Sequence, residues 1–268
     1  MRRLAYALML CVGVASAQQG VNVGEASSFR NMVPAEQLER ASNKQYRELL
    51  KEASAKGALA PDGHPQLKRL RKIARRLLPH AERFNPQAAN WNWEVNLIGS
   101  KQINAFCMPG GKIAFYTGIL DTLKLTDDEV AMIMGHEMAH ALREHAREQA
   151  GKNTMTGLAA NVLSMVFSGS NYSGLADLAI SAGHGLASRA FSRSDEREAD
   201  LVGLELAARG GFDPRAGITL WEKMAKASDG APPEFMSTHP ASDTRIEEIR
   251  RHLPQVMPLY ERAQSNLQ

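Results

Sequence analysis

The feature that most constrains this chain is the pentad His136-Glu137-Met138-Ala139-His140. It works as a chemical unit only on a helix, where residues four apart lie on one face, one turn above the other. Two imidazoles so placed can hold one zinc ion at about 2.0–2.1 Å each. Glu137 then projects beside them, where a carboxylate can take a proton from the attacking water of a metal-assisted hydrolysis. Such a pentad also recurs by chance, its histidines then being surface or capping residues. Two local features argue against that. Thr126-Asp127-Asp128-Glu129 reads as a capping box, and the flanks (Met132, Ile133, Met134, Met138, Ala139) are apolar. A long helix is expected from Thr126 to about Gly151, with Val130, Ile133, Met134, Met138 and Leu142 as core.

A catalytic zinc site needs a third protein ligand and an open position. The pattern HExxHxxGxxH fails, because Arg143 stands where glycine would be and Ala146 where histidine would be. His145, five residues after His140, points off the ligand face and reads as a surface residue. The remaining route is a glutamate from a second helix. The best candidate is Ser192-Arg193-Ser194-Asp195-Glu196-Arg197-Glu198-Ala199-Asp200. Glu196 and Asp200 share a face at i, i+4, and Ala199 leaves room for close packing on the first helix. Glu196 would ligate, and Asp200 would accept the Nδ1–H of a ligand histidine and fix its ring. The competing reading is acidic charge complementing a helix dipole.

The first seventeen residues read as a targeting segment. Arg2 and Arg3 precede an apolar run from Leu4 to Val14, and Ala15-Ser16-Ala17 fits a cleavage site after Ala17, implying export to the periplasm. An uncut membrane anchor is the alternative, but the run falls short of the ~20 residues a span needs. Removing this segment leaves 30 basic against 29 acidic residues, so the basicity of the whole chain gives no reason to expect a nucleic-acid partner. It also leaves one cysteine, Cys107, which excludes an internal disulfide and reads as a small buried hydrophobe.

Residues 18–33 are polar and small, a loose leader. A helix is expected from Pro34 to Gly57 and a second over roughly 65–84. The second carries Lys68, Arg69, Arg71, Lys72, Arg75 and Arg76: a solvated face, or a contact with an anionic membrane surface. Residues 91–117 alternate as strands do, around Trp93–Leu97, Ile103–Met108 and Lys112–Tyr116, predicting a small antiparallel sheet. The apolar stretches 155–167 and 175–187 are too short to span a bilayer and read as close-packed helices or a mobile flap. Helices follow over 194–208, 214–227 and 243–253, with a Pro-rich loop at 229–241.

The pentad together with SRSDEREAD resembles the zinc metallopeptidase family of the CAAX prenyl proteases and HtpX, and within it a secreted bacterial branch with BepA and LoiP. The likeness covers residues 65–253. It includes Asn104-Ala105-Phe106, the turn at 109–112, Tyr116-Thr117-Gly118, and His239-Pro240 followed by Arg245. The resemblance implies an α+β, mainly helical zincin-like metallopeptidase domain over 65–253, between an N-terminal leader and helix (18–64) and a C-terminal tail (254–268). It also implies Glu196 as third ligand to one zinc ion, Asp200 as its acidic partner, and His239 and Arg245 near the metal. Neutral His239 would either occupy the open position as a gate or donate to the oxyanion; otherwise it is an ordinary histidine before a helix. The expected activity is cleavage of unfolded or misassembled envelope proteins, held along Asn104, Ala105 and Phe106 as an added strand. A zinc-containing, chaperone-like binding module is the second reading, and a membrane-surface protein the third.

Overall fold

The computed structural model describes residues 20–155, 191–227, 234–240 and 243–267. The segment expected as a signal over 1–17, the stretch 175–187 and all but the first residue of 155–167 lie outside the described residues. In chain order the described helices are α1 Ala35–Ala55, α2 Pro65–Leu77, α3 Thr117–Leu123, α4 Asp127–Leu142, α5 His145–Met155, α6 Arg193–Arg209, α7 Ala216–Lys226, α8 Glu234–Thr238 and α9 Asp243–Ser265. The strands are β1 Glu94–Ile98, β2 Ala105–Met108 and β3 Lys112–Tyr116. Among the described residues no helix is long and apolar enough to cross a membrane.

Helix α4 is the centre of the fold. Its start is fixed in both directions: the Thr126 N–H donates to Glu129 Oε2 (2.8 Å) and the Glu129 N–H to Thr126 Oγ1 (3.3 Å). Every residue from Glu129 to Leu142 is buried, as befits a helix that is apolar nearly all round. Helix α6 crosses it backbone against backbone. A Cβ added at Gly203 would lie 2.7 Å from the His136 nitrogen, and one at Gly135 would lie 2.9 Å from the Gly203 oxygen. Two mid-helix glycines, each weaker as a helix former than alanine by about 1 kcal/mol, are retained because this crossing leaves no room for side chains.

The sheet has the order β1-β3-β2. The expected antiparallel pairing holds for β2 and β3, which form a hairpin around Gly110 and Gly111, both at positive φ. The pairing of β1 corrects the expectation: it joins β3 in parallel, Glu94 opposite Lys112 through Ile98 opposite Tyr116. The cause is the short link 99–104, which crosses the C-terminal end of β3 to reach β2. It passes directly over Gly118, where a Cβ would collide with the carbonyl oxygens of Lys101 and Gln102. Central strand β3 is buried on both faces. Ile113 and Phe115 join the main core with α2, α4, α6 and α9, while Ala114 and Tyr116 meet Tyr46, Leu49 and Ala53 of α1.

Four further expectations are corrected. The helix that carries the pentad does not run unbroken to Gly151. Glu144 takes φ 58, held there by ion pairs to Arg30 (3.1 Å) and Arg147 (2.8 Å), and a new helix starts at His145. The leader is tied down: Val21 is buried, and its N–H donates to Glu205 Oε2 on α6 (2.6 Å). The second helix is α-helical only to Leu77, before a 3-10 segment with Pro79 in its first turn. The last helix does not stop at Leu253 but continues through Pro254 and Pro258. Burial of Val256 and Leu259, at about 1.5–3 kcal/mol each, offsets the lost hydrogen bonds. On α2, Arg69 bonds Asp127 and the Leu125 carbonyl, Arg71 bonds Asp62 and the Val95 carbonyl, and Arg76 bonds the Gly210 and Gly211 carbonyls. Half of its six cations therefore hold neighbouring segments in place.

The crossing makes a direct prediction. Gly203→Ala gains about 1 kcal/mol of helix propensity but drives a methyl group into backbone, an overpacking that costs about 1–3 kcal/mol. A net loss of stability is expected in chemical denaturation. A variant as stable as the parent would show that the helices are not held at this distance.

Candidate metal centre

The α4–α6 crossing brings together side chains sixty residues apart. His136 Nε2 lies 3.1 Å from His140 Nε2, and each lies 3.5 Å from one oxygen of Glu196. His239, just after α8, enters the same space, its Nδ1 at 2.9 Å from Glu196 Oε1 and 3.2 Å from His136 Nε2. One donor atom from each of His136, His140, Glu196 and His239 lies within 4.8 Å of all the others, and all four residues are buried. Glu137 is buried beside them, with Oε1 at 3.5 Å from His239 Nε2 and no hydrogen-bond partner.

A second layer orients the first. His136 Nδ1 donates to Asp200 Oδ1 at 3.0 Å. Arg245 clamps Asp200 with two bonds (2.6 and 2.7 Å), reaches Glu196 Oε2 at 2.9 Å, and lies flat over Trp221 at 3.8 Å. Phe191 stacks on His140 with ring centroids 4.0 Å apart. His145 is not the expected surface residue. The helix break at Glu144 turns it inward, where it is buried, with Nδ1 at 2.9 Å from His140 Nδ1 and Nε2 at 3.2 Å from Glu198 Oε2.

The electrostatics suit a cation. Burial opposes ionisation of Glu196 and Asp200, yet hydrogen bonds from His136 and His239 to Glu196, and the Arg245 guanidinium beside Asp200, hold both below the usual carboxylate range. Burial likewise disfavours charge on His136, but Asp200 and Glu196 outweigh it and push its pKa up to about 9. Burial and the neighbouring His136 charge push His140 well down. Since Asp200 accepts a hydrogen bond from the Nδ1–H of His136, the extra proton sits on Nε2, in the middle of the cluster. A positive charge is thus wanted at the point where the nitrogens and carboxylate converge. The donor set of two or three imidazoles and a carboxylate suits zinc, and the unpartnered oxygen of buried Glu137 marks where a polar reactant belongs.

The remaining site expectations fall nearby. Asn104, Ala105 and Phe106 begin β2, an edge strand that, among the described strands, pairs only with β3; α4 packs on it. The Phe235 N–H donates to the Ile103 carbonyl (3.1 Å), joining the start of that edge to the α8 turn that carries His239. Cys107 is half-buried against the main core. Site roles for His145, Glu198, Phe191, Trp221, Gly135 and Gly203 are not among those expected from the sequence. The glycines left a readable signal, since glycine inside a helix implies a close approach. For His145 there was none, because a left-handed glutamate has no sequence signature.

Residues 65–253 match the profile of Peptidase family M48. The chain is 33% identical to "Metalloprotease LoiP" of Escherichia coli over 203 residues, 74% of this chain and 75% of that one. It is 32% identical to "Mitochondrial metalloendopeptidase OMA1" of Schizosaccharomyces pombe over 219 residues, 81% of this chain and 61% of that one. It is 30% identical to the "Beta-barrel assembly-enhancing protease" of Yersinia pestis over 185 residues, 65% and 37%. The match spans 30% of the Arabidopsis thaliana OMA1 and 35% of the Bos taurus one. The site therefore lies inside the matched region, and the chain belongs to peptidase family M48.

Proposed function

We propose that this chain is a zinc-dependent endopeptidase of the bacterial cell envelope that cleaves unfolded or misassembled proteins. The observation that carries this reading is Glu137: a buried carboxylate with a free oxygen, set against four convergent metal-binding side chains in a chain of family M48. His136, His140 and Glu196 would hold one zinc ion per chain. Zinc bound there would polarise the scissile carbonyl and render the attacking water acidic. Glu137 Oε1 takes the water's proton and passes it to the leaving nitrogen. Burial raises the pKa of Glu137, towards the range in which one carboxylate can both accept a proton and give it back. Asp200, clamped by Arg245, keeps His136 in the Nδ1–H tautomer.

His239 fits the gate reading better than the oxyanion reading. Its Nδ1 lies inside the cluster, beside Glu196 and His136, rather than at the margin where a substrate oxygen would develop charge. Catalysis would then require the turn after α8 to withdraw. Substrate would lie extended along β2, recognised by backbone bonds at Asn104, Ala105 and Phe106, which suits unfolded chains of varied sequence. The envelope location rests on the targeting segment at 1–17 and on likeness to the E. coli and Y. pestis proteins, the second named for β-barrel assembly. A purely chaperone-like role would leave Glu137 without use.

Three outcomes are expected. Glu137→Gln keeps zinc and loses casein hydrolysis by at least a hundredfold, the usual scale of general-base catalysis; retained proteolysis would contradict the assignment. His239→Ala raises hydrolysis if the residue gates the site and lowers it if it donates to the oxyanion. Unchanged activity with unchanged zinc affinity refutes both roles. Zinc uptake at pH 7 releases about one proton, since His136 is protonated below about 9 and must give up its Nε2 proton. Apparent affinity should therefore strengthen as pH rises towards 9. Calorimetry in buffers of different ionisation enthalpy reads the release, and no proton change would show that His136 is already neutral in the metal-free protein.

A further inference from the structure

Behind His140 runs a second polar chain, on the side away from Asp200. His140 Nδ1 meets His145 Nδ1 at 2.9 Å, and His145 Nε2 meets Glu198 Oε2 at 3.2 Å. The other oxygen of Glu198, Oε1, accepts from Arg143 Nε, and Arg143 Nη2 donates to the Gly24 carbonyl at 2.8 Å. His140 and His145 are buried, and Glu198 keeps 22% of its side chain accessible. None of these contacts is used by the proton transfers described above.

With His145 as a neutral imidazole, the chain has one sense. Arg143 is a donor without acceptor capacity, and an ionised carboxylate is an acceptor only. Glu198 must therefore receive the Nε2–H of His145. A neutral imidazole with its proton on Nε2 carries a bare lone pair on Nδ1. That lone pair faces His140 Nδ1, so His140 must hold its proton on Nδ1, which leaves its Nε2 as a lone pair aimed at the cluster. Asp200 imposes the same tautomer on His136 from the opposite side. With Phe191 stacked on its face, the His140 ring is fixed in tilt as well as in tautomer.

We propose that His145 and Glu198 are positioning residues which, with Arg143 as anchor, hold His140 in the Nδ1–H tautomer and present its Nε2 to the metal. The inference rests on the metal-site reading given above. Removing such partners of ligand histidines weakens metal binding about 10- to 100-fold. The helix break at Glu144 has a purpose in this light, since an unbroken α4 would have carried His145 away from His140.

Two near-isosteric substitutions separate hydrogen-bond polarity from packing. In Glu198→Gln the amide oxygen is claimed by Arg143, so the NH2 group faces His145 Nε2. The chain then reverses, and His140 is driven to place a hydrogen at the metal position. In His145→Gln the side-chain oxygen can accept from His140 and the NH2 group can donate to Glu198, preserving the original sense. Zinc affinity is measured with a competing chelator, and folding of the metal-free proteins by thermal unfolding. Glu198→Gln should bind zinc 10- to 100-fold more weakly with its melting temperature little changed, while His145→Gln stays within a few-fold of the parent. The relay is overturned if Glu198→Gln binds as the parent does, or if both variants lose affinity equally. Nitrogen-15 shifts of the His140 ring give a second reading that does not depend on metal. The parent and His145→Gln should show the Nδ1–H form and Glu198→Gln the Nε2–H form; the same tautomer in all three overturns the proposal. If the parent itself binds no zinc, the metal-site reading falls and the relay with it, whereas an unaffected Glu198→Gln removes the relay alone.

Discussion

The site depends first on how closely two helix backbones approach. Gly135 and Gly203 let α4 and α6 touch without side chains between them, one residue before His136 and three after Asp200. The pairing of His136 and His140 with Glu196 and Asp200 depends on this contact. Those two imidazoles rise from one helix and those two carboxylates from the other, and neither set is long enough to bridge a gap wider by the thickness of a methyl layer. The arrangement also explains why α4 is buried throughout from Glu129 to Leu142 and α6 from Val202 to Ala208. A pair buried this deeply must satisfy its polar groups internally, and the groups left over are the ones that carry chemistry.

Burying this much charge requires near-complete compensation. Asp200 and Glu196 share Arg245, which itself rests on Trp221. Glu198 neutralises Arg143 and takes up His145. Each ring nitrogen that turns away from the cluster in His136 and His140 has a partner, and each that turns inward faces other electron pairs. An isolated ion in such surroundings would be expelled or neutralised. The set is therefore cooperative: the orientation of every imidazole is specified by a neighbour at its back, so loss of one outer contact is felt at the centre.

What was legible in the sequence was local. The pentad and the run from Ser192 to Asp200 declared themselves through four-residue spacing, and the capping residue Thr126 marked where the first helix begins. The hairpin of β2 and β3 was visible in Pro109-Gly110-Gly111. Strand direction for β1 was not, because it depends on which end of β3 the link 99–104 crosses, and alternation looks the same for either direction. The inward turn of His145 was hidden behind a non-glycine residue at positive φ, sustained by Arg30 and Arg147 from distant parts of the chain. Tertiary burial likewise overrode the prolines of α9, which local rules treat as stops.

The N-terminal portion bears on where this molecule can be cut. Residues 20–64 precede the stretch that the family profile matches, yet Val21 plugs the main core and supplies a donor to Glu205, whose carboxylate is wholly enclosed with Arg83 and Arg209. Helix α1 roofs Ile98, Phe106, Met108, Ala114 and Tyr116 on the outer sheet face. A fragment trimmed to the matched stretch would strip that roof from five large or closely packed side chains and leave a sealed anion one donor short. The profile match and mechanical self-sufficiency thus have different borders here. The piece that keeps the reactive groups in place begins more than forty residues before the stretch that the family profile matches.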